Sequence, residues 1–457
     1  MLPFATKGSD GHFAEGITRE LIGILSRTEG IDVIAPESAL ACSGDMPAPE
    51  VADRLGVDVV LRGSAERSGA DLRITADLSE VASDSALWST DLTASIADLF
   101  SIQLDIARGV ARALGSTLVG DEEELIHREP TSDLGAYDAY LKGRHDMALQ
   151  SETGRRSAIS HFETAIERDS LFASAWSALA ECYSVVLTDH SSSGTLEAAS
   201  GARSAATRAL ELDSQMVAPL VSLGYVELDA WNWPRAEAHF RRALAAAPSH
   251  AGAHRGYSRY LLHTGDFAGA IASAERAFAL DPLSDAVMNE SGVPYAYAGR
   301  VHEARERARH VVGRDPENIT AYFNLGCYAT VAEKHGEAVT YFRAAAELSA
   351  RMPFVTGYLG MALAGFGDSD EAEDIAHDLG RKARRGSRIA TCLAALLIRL
   401  GRPDEGLTWL ETALESREPL LISADTHWLP LPEVRDHPRF KAVLARLPQP
   451  CAAGRRP

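Results

Sequence analysis

A period of thirty-four residues runs through the sequence from Val217 to Leu420. The pair Leu223-Gly224 returns three periods later as Leu325-Gly326 and one further period later as Leu359-Gly360. Small residues in the second half of each unit recur with the same period, at Ala236, Ala270, Ala304, Ala338, Ala372 and Gly406. A fixed period of this length is typical of solenoids, in which each supersecondary unit stacks on the next. The period therefore predicts six consecutive units of one kind, in register and without an insertion.

The spacing within a unit indicates a pair of short antiparallel helices. Small residues such as Gly224 and Ala243 let helix backbones approach closely, and larger ones such as Phe240 fill the space between units. Prolines at 248, 282 and 316 are also thirty-four residues apart, and proline ends a helix because it cannot continue one. Such pairs cannot bury their apolar faces alone, so they stack into a curved array with a concave binding face.

The best unit contains Leu223, Gly224, Ala236, Phe240, Ala243 and Pro248, and its equivalent contains Tyr322, Leu325, Gly326, Ala338, Phe342 and Ala345. These positions resemble the tetratricopeptide repeat (TPR) family. The resemblance implies a mostly α fold, a TPR α-solenoid in which helix pairs wind into a right-handed superhelix. Two less regular units precede the six, so about eight units are expected over residues 136–420. The fold alone does not name a ligand, because repeat folds host many functions.

Residues 1–118 predict a small α/β domain before the array. Residues 71–80 alternate, with Leu72, Ile74, Ala76 and Leu78 on one face, as in a half-buried strand. Ser68-Gly69 before them indicates a hairpin turn. Further strands are expected at 1–4, 31–34, 57–61 and 86–89, and helices at 13–26, 51–55 and 96–114.

Several short motifs of this domain resemble the TolB-like N-terminal domain of bacterial regulators. They are Leu2-Pro3-Phe4, Phe13-Ala14-Glu15-Gly16, Leu55-Gly56-Val57, Leu72-Arg73-Ile74-Thr75 and Leu87-Trp88. In such regulators the domain follows an output domain, such as a class III nucleotide cyclase, a winged-helix domain or a kinase, and precedes TPRs. No output domain is recognisable in this sequence. The resemblance therefore implies either a stand-alone sensor or scaffold, or a chain whose front end is lost, and coding sequence upstream of Met1 would distinguish them.

Two segments outside the repeats complete the predicted organisation. Residues 119–135 form an acidic linker around Asp121–Glu124, and residues 421–457 form a C-terminal capping segment and tail. In the tail, Trp428-Leu429 and Asp436–Phe440 resemble the closing segment of the same regulators. A flexible insertion is expected at Ser191–Gly194, inside the second unit.

Composition limits the classes of partner and compartment. The formal net charge of −19 makes nucleic acid an unexpected partner. Five scattered cysteines form no C-x2-C pair, which favours reduced thiols in a cytoplasmic protein. No apolar run approaches the ~18 residues of a membrane span, and no basic segment followed by an apolar run begins the chain.

Catalytic motifs are not found, so a non-enzymatic protein without cofactor or metal is predicted. His12, Glu15 and Glu20 near the first helix suit a helix start, where acidic residues meet the positive end of the dipole. The phosphate-binding glycine motifs and H-E-x-x-H are missing. No stretch resembles the metal-binding aspartates of a nucleotide cyclase.

The candidate partner-binding residues lie on the concave side of the first helices: Val221, Tyr225, Arg255, Arg259, Asn289 and Phe323, with Cys327 at an equivalent position. Arg255 and Arg259 are one helical turn apart and, with Asn289, are expected to hold a carboxylate, which implies an acidic partner. This loosely resembles the carboxylate clamp of chaperone-binding TPRs, without their lysine and paired asparagines. The competing interpretation is solvated arginines balanced by acidic neighbours. The basic run Arg381–Arg388 is either a phosphate or acidic-partner site or a solvated helix end.

The predicted function is a regulator or scaffold that binds a protein or peptide partner in the concave groove. The first alternative is the sensory part of a bacterial signalling protein of the adenylate cyclase or transcriptional-regulator type. The second alternative, an enzyme, is disfavoured because no catalytic group of residues was found.

Overall fold

A computed structural model describes residues 1–6, 11–28, 30–68, 71–95, 98–116, 131–149, 151–188, 195–424 and 429–447. Most of the acidic linker, the insertion at Ser191–Gly194, Gly69 and Trp428 lie outside these residues. Within them the chain is mostly helical, with one small sheet near the N-terminus. The predicted fold class is confirmed.

The N-terminal domain surrounds a three-stranded antiparallel sheet of order β1-β2-β3. Its central strand shows why the sheet forms, because Leu72, Ile74, Ala76 and Leu78 are all buried on one face. Helices α1 and α4 both contribute to the same core cluster. The elements, in order, are α1 Gly11–Leu25, α2 Pro36–Leu40, α3 Ala48–Leu55, β1 Val59–Ser68, β2 Asp71–Glu80, β3 Ala86–Ser95 and α4 Leu99–Ala113.

Two predicted strands of this domain are wrong. Residues 1–4 are not a strand, and only Ala5 forms a single parallel bridge, with Ser64 of β1. Residues 31–34 are neither helix nor strand, and they pair with no strand of the sheet. They instead run along the helical array, where the amide of Ala35 donates to the carbonyl of Leu280 at 2.7 Å. Local alternation of apolar residues could not reveal that this partner lies at the end of α12, more than two hundred residues away.

Eight helix pairs follow within the described residues, and each pair packs on the next. Numbered in chain order, they are pair 1, α5 Leu134–Ala148 with α6 Glu152–Arg168; pair 2, α7 Ala173–Thr188 with α8 Thr195–Leu212; pair 3, α9 Ala218–Asp229 with α10 Trp233–Ala246; and pair 4, α11 Ala251–Thr264 with α12 Phe267–Leu280. They continue with pair 5, α13 Asp285–Tyr297 with α14 Val301–Arg314; pair 6, α15 Ile319–Val331 with α16 His335–Leu348; pair 7, α17 Pro353–Phe366 with α18 Ser369–Arg384; and pair 8, α19 Ala390–Arg399 with α20 Pro403–Glu415.

The packing between pairs explains the small residues of the repeat. The ring of Phe240 is fully buried between two glycines, one in its own pair and one in the next. A Cβ placed on Gly224 would lie 2.5 Å from that ring, and one on Gly256 would lie 2.2 Å from it. Gly326 and Phe342 repeat the arrangement at 2.7 Å three periods later. Glycine at these positions is therefore a steric requirement of the stacking.

A C-terminal segment covers the last helix pair. A 3-10 helix, Pro419–Ser423, leads into a loop and then into α21, Pro438–Arg446. Phe440 is fully buried in the core cluster that includes the last pairs. Arg439 makes a bidentate contact with Glu411 of α20, at 2.9 and 2.8 Å. The end of the array is thus closed by apolar burial and by charged contacts.

Candidate partner-binding groove

The first helices of the pairs line one long cavity, hereafter the groove, with a volume of about 2190 Å³. Its lining draws on the first helices of pairs 1 to 7, and few residues of the second helices reach it. The N-terminal domain supplies a further wall, through residues of α1 and α2 such as Arg19, Arg27 and Glu37. The groove is therefore open along the array but covered at one end by a separate domain.

The docking of the N-terminal domain onto the array rests on buried polar contacts. Ser38 of α2 donates its hydroxyl to Asp281 Oδ1 at 2.5 Å and its amide to the same oxygen at 3.2 Å. The Ser38 hydroxyl also accepts from the amide of Leu283 at 2.8 Å. Both Ser38 and Asp281 are buried. The contact occupies the loop after pair 4, directly beside the groove.

Further contacts extend this docking interface to the loop after pair 3 and to helix α12. Ser249 donates its hydroxyl to the carbonyl of Ile31 at 2.8 Å, and Arg276 binds Asp32 at 2.6 Å. Burial, assisted by the nearby charge of Glu37, raises the pKa of Asp281 to about 6. The hydrogen bonds from Ser38 act in the opposite direction. The interface therefore holds a carboxyl group that is easily protonated.

Helix α1 packs against pair 1 through a second set of polar contacts. Tyr140 donates its hydroxyl to Glu20 of α1 at 2.9 Å, and Nδ1 of His145 lies 3.3 Å from the carboxylate of Glu15 in α1. Burial raises the pKa of Glu20. Glu15 binds Arg19 at 3.1 Å. Glu15 and Glu20, the acidic residues that the sequence analysis considered near the first helix, therefore hold the two domains together or stabilise α1. The side chain of His12 lies outside the described structure.

Arg255 and Arg259 both line the groove, as expected from their register. Arg255 approaches the hydroxyl of Tyr225 at 3.3 Å and the carboxylate of Glu290 at 3.6 Å. Val221 and Tyr225 also line the groove but are only 8% and 6% exposed. The charge of Arg255 is thus already partly balanced within the protein.

Asn289 is not among the residues that line the groove. Its side chain is 2% exposed and donates to Asn318 Oδ1 at 3.1 Å. The next residue, Glu290, lines the groove instead and faces Arg255. The expected cluster of two arginines and Asn289 around a carboxylate therefore does not match this geometry, because the lining surface at pair 5 is one position further along the helix.

Phe323 lines the groove at pair 6 and belongs to an aromatic cluster. Its ring centroid lies 5.1 Å from that of Phe354 and 4.9 Å from that of Tyr358. It also meets Phe342 of the second helix edge-on at 5.6 Å. Cys327, one turn further along, is buried and does not reach the cavity. The cluster gives this part of the groove an apolar surface.

The lining of the groove is acidic on balance. Its arginines are six in number: Arg19, Arg27, Arg144, Arg155, Arg255 and Arg259. Its carboxylates are eleven: Glu15, Glu20, Glu37, Glu181, Asp213, Asp229, Asp281, Asp285, Glu290, Asp315 and Glu317. Two arginines led to the expectation of an acidic partner. The excess of carboxylates over arginines in the lining argues against that expectation.

Sequence reasoning missed Glu290, Asn324 and Glu317 as groove residues. Glu290 and Asn324 are thirty-four residues apart, at the position that Ser222 and Gly256 occupy in earlier units. The available signal was a larger polar residue at a register position that small residues occupy in the two earlier units. Glu317 lies in a loop between pairs, where the repeat register gives no orientation.

The basic run near the end of α18 is engaged in contacts with the array. Lys382 binds Asp378 at 2.8 Å, and Arg381 pairs with the same carboxylate. Arg388 donates to the carbonyl of Arg417 at 2.8 Å. These contacts favour the interpretation as a helix end.

Comparisons with known proteins identify the repeats. One tetratricopeptide repeat model matches residues 221–285 and 294–353, and a second tetratricopeptide repeat model matches residues 353–378 and 387–412. A protein named "Putative adenylate cyclase 3", from Rhizobium meliloti (strain 1021), is 34% identical over 164 residues, which are 34% of this chain. The chain spans only 28% of that relative's length.

Solved structures with similar folds share little sequence with the chain. PilF of Pseudomonas aeruginosa is 16% identical, with a TM-score of 0.34 over 45% of this chain and 92% of its own. YrrB, described as a TPR protein with an unusual peptide-binding site, is 17% identical, with a TM-score of 0.28 over 39% of this chain and 97% of its own. A thermophilic TPR protein of Thermus thermophilus is 15% identical, with a TM-score of 0.34 over 41% of this chain and 94% of its own.

None of the helices in the described residues has both the length and the apolar character needed to cross a bilayer. No three His, Cys, Asp or Glu side chains within the described ranges are grouped as metal ligands would be.

Proposed function

We propose that this array of tetratricopeptide repeats is a non-enzymatic scaffold or regulator that holds a peptide or protein partner in its groove. The observation that carries the proposal is the groove itself, a continuous cavity lined by the first helices of successive repeats. Its volume is larger than the 300–1,000 Å³ usual for small-molecule pockets, which suits an extended segment better than a metabolite. Repeat arrays use such concave surfaces for recognition.

Several groove residues are suited to contact such a segment. Arg259 and Phe323 line the groove and are partly exposed, and Arg255, Val221 and Tyr225 stand beside them. We propose these five, with Glu290 in place of Asn289, as partner contacts. The mixture of apolar, aromatic and charged side chains resembles the composition of other protein-binding surfaces.

A blocking substitution tests the proposal without disturbing the core. Thr320 lines the groove and is exposed at the start of α15, so Thr320→Trp would obstruct the cavity. Glu306→Trp is the matched control, because Glu306 is exposed on the second helix of pair 5 and lies outside the groove. Affinity capture from native lysate with mass spectrometry should recover a partner with the parent chain and the control but lose it with Thr320→Trp. Equal recovery by all three proteins would contradict groove binding.

The second candidate is the sensory part of a signalling protein that synthesises a cyclic nucleotide or controls transcription. It is favoured by the 34% identity to a protein named as a putative adenylate cyclase. The genomic sequence upstream of the Met1 codon tests it, since an in-frame catalytic or DNA-binding domain is expected there. A stop codon immediately upstream would leave the scaffold as the better account.

The proposed compartment is the cytoplasm. Cys42, Cys182, Cys327 and Cys392 are free and buried, which suits a reducing environment. Labelling of thiols in protein purified under non-reducing conditions would test this, and disulfide-linked species would contradict it.

A further inference from the structure

The part of the groove beyond the docked N-terminal domain has an uneven charge. We call this part the distal groove and define it as the lining residues from Leu283 to Val355. This lining contains Asp285, Glu290, Asp315 and Glu317 and no Arg, Lys or His. The arginines that line the groove all belong to the other part, nearer the N-terminal domain.

Only two of these four carboxylates have an arginine nearby. Asp285 lies 3.5 Å from Arg314, and Glu290 lies 3.6 Å from Arg255. Both distances are long for a charge-assisted hydrogen bond, and the carboxylates are 27% and 38% exposed. Such pairs exchange partners at small free-energy cost.

The other two carboxylates meet no cation in the continuously described stretch 195–424. Asp315 accepts from the amide of Glu317 and from Asn318 Nδ2, both at 3.1 Å. Glu317 is exposed and takes part in no ion pair there. The distal groove therefore keeps a negative charge that the protein does not itself neutralise.

An apolar surface borders this charge. Phe323 and Phe354 line the same stretch, with Met352 beside them, and all three are half-buried. The ring of Tyr358 packs against both, with its centroid 4.9 Å from that of Phe323 and 5.2 Å from that of Phe354. A side chain laid on this surface would be desolvated next to the carboxylates, where an opposite charge interacts more strongly than it does in water.

We propose that the distal groove selects a cationic segment, an extended peptide in which Lys or Arg is followed by a bulky apolar side chain. The cation meets Glu290 and Glu317, and the apolar side chain rests on Phe323 and Phe354. An acidic segment is rejected by like-charge repulsion. The net charge of −19 assists, because it attracts cationic partners over long range at low salt. The inference rests on the proposed function and names the class of partner.

A random-peptide display library selected on the full chain tests the inference. The selected peptides are expected to be enriched in Lys and Arg beside Phe, Leu or Met. A fluorescently labelled selected peptide then serves as the probe in anisotropy titrations. The double variant Glu290→Gln/Glu317→Gln should weaken its binding about tenfold, and added salt should reduce the difference. The control Glu306→Gln/Glu415→Gln removes the same charge from exposed residues outside the groove, and should change binding less than twofold.

The outcomes separate this inference from the function on which it rests. Peptides that bind, lose binding with Thr320→Trp and yet are neutral or acidic would overturn the charge class and leave the scaffold intact. Basic peptides that the two double variants weaken equally would also overturn it, because attraction by overall charge would then suffice. If no peptide is enriched, both the inference and peptide binding in the groove are refuted.

Discussion

Glu418 caps a helix from 27 residues away in sequence. Helix α19 begins after Ile389, whose side chain cannot accept a hydrogen bond from the free amides of the first turn. The carboxylate of Glu418 takes this role: Oε1 accepts from the amide of Ala390, and Oε2 accepts from the amide and the hydroxyl of Thr391, each at 2.9 Å. Glu418 is 3% exposed. Its negative charge also lies at the positive end of the helix dipole.

The variant Glu418→Ala would leave two amides and one hydroxyl without an acceptor in a buried site. Hydrogen bonds to a charged group contribute about 1.5–3 kcal/mol each, and losing a helix cap costs about 1 kcal/mol. Because these contributions overlap, we expect the free energy of unfolding to fall by about 3–5 kcal/mol. Glu418→Gln keeps one acceptor oxygen and should cost about 1–2 kcal/mol.

Urea unfolding followed by circular dichroism measures the loss, and hydrogen exchange at Ala390 and Thr391 locates it. Glu415→Ala is the matched control, because Glu415 is exposed at the end of α20. That control should change the free energy of unfolding by less than about 0.5 kcal/mol. If Glu418→Ala and Glu415→Ala unfolded at the same urea concentration, the capping role would be refuted.

The other predictions concern domain docking and repeat packing. Ser38→Ala removes a donor from buried Asp281 and should weaken docking by about 1–3 kcal/mol, seen as faster hydrogen exchange in α2; unchanged exchange would contradict it. Because the pKa of Asp281 is about 6 when docked and 3.8 when free, docking is strongest below pH 4 and weakens as pH rises through 6, by up to about 3 kcal/mol. Exchange in α2, corrected for its intrinsic pH dependence, should thus be slower at pH 5 than at pH 7.5, and the reverse order would refute this. Gly224→Ala would place Cβ against the Phe240 ring and should cost about 1–3 kcal/mol in urea unfolding, whereas Gly336→Ala meets ordinary contacts and should be neutral or stabilising.

The repeat array could be predicted from sequence because its contacts are local. Each pair packs on the next, so the small and large residues that make these contacts recur every thirty-four residues in the sequence. Gly224, which was expected where backbones approach closely, and Phe240, sixteen residues later, meet in the structure. Strand β2 was predictable for a similar reason, since the alternation of Leu72, Ile74 and Leu78 reflects burial of one face.

The candidate site was only partly predictable. Register placed Arg255 and Arg259 on the groove, because residues one turn apart share a helix face. Register could not decide between Asn289 and Glu290, which differ by the rotation of one residue on α13. It could not show that Arg255 already meets Glu290 either, because that contact depends on how far pair 5 turns relative to pair 4.

The sequence by itself determined the helical repeat, its period, its small-residue packing and the acidic character of the chain, since each is a property of neighbouring residues. The tertiary structure alone decided where residues 31–34 pair, which carboxylates line the groove and what caps α19. These features join residues that are distant in sequence: Ser38 meets Asp281, and Glu418 meets Thr391. A polar group that becomes buried must find a hydrogen-bond partner wherever the fold supplies one, and no local pattern specifies which residue that is.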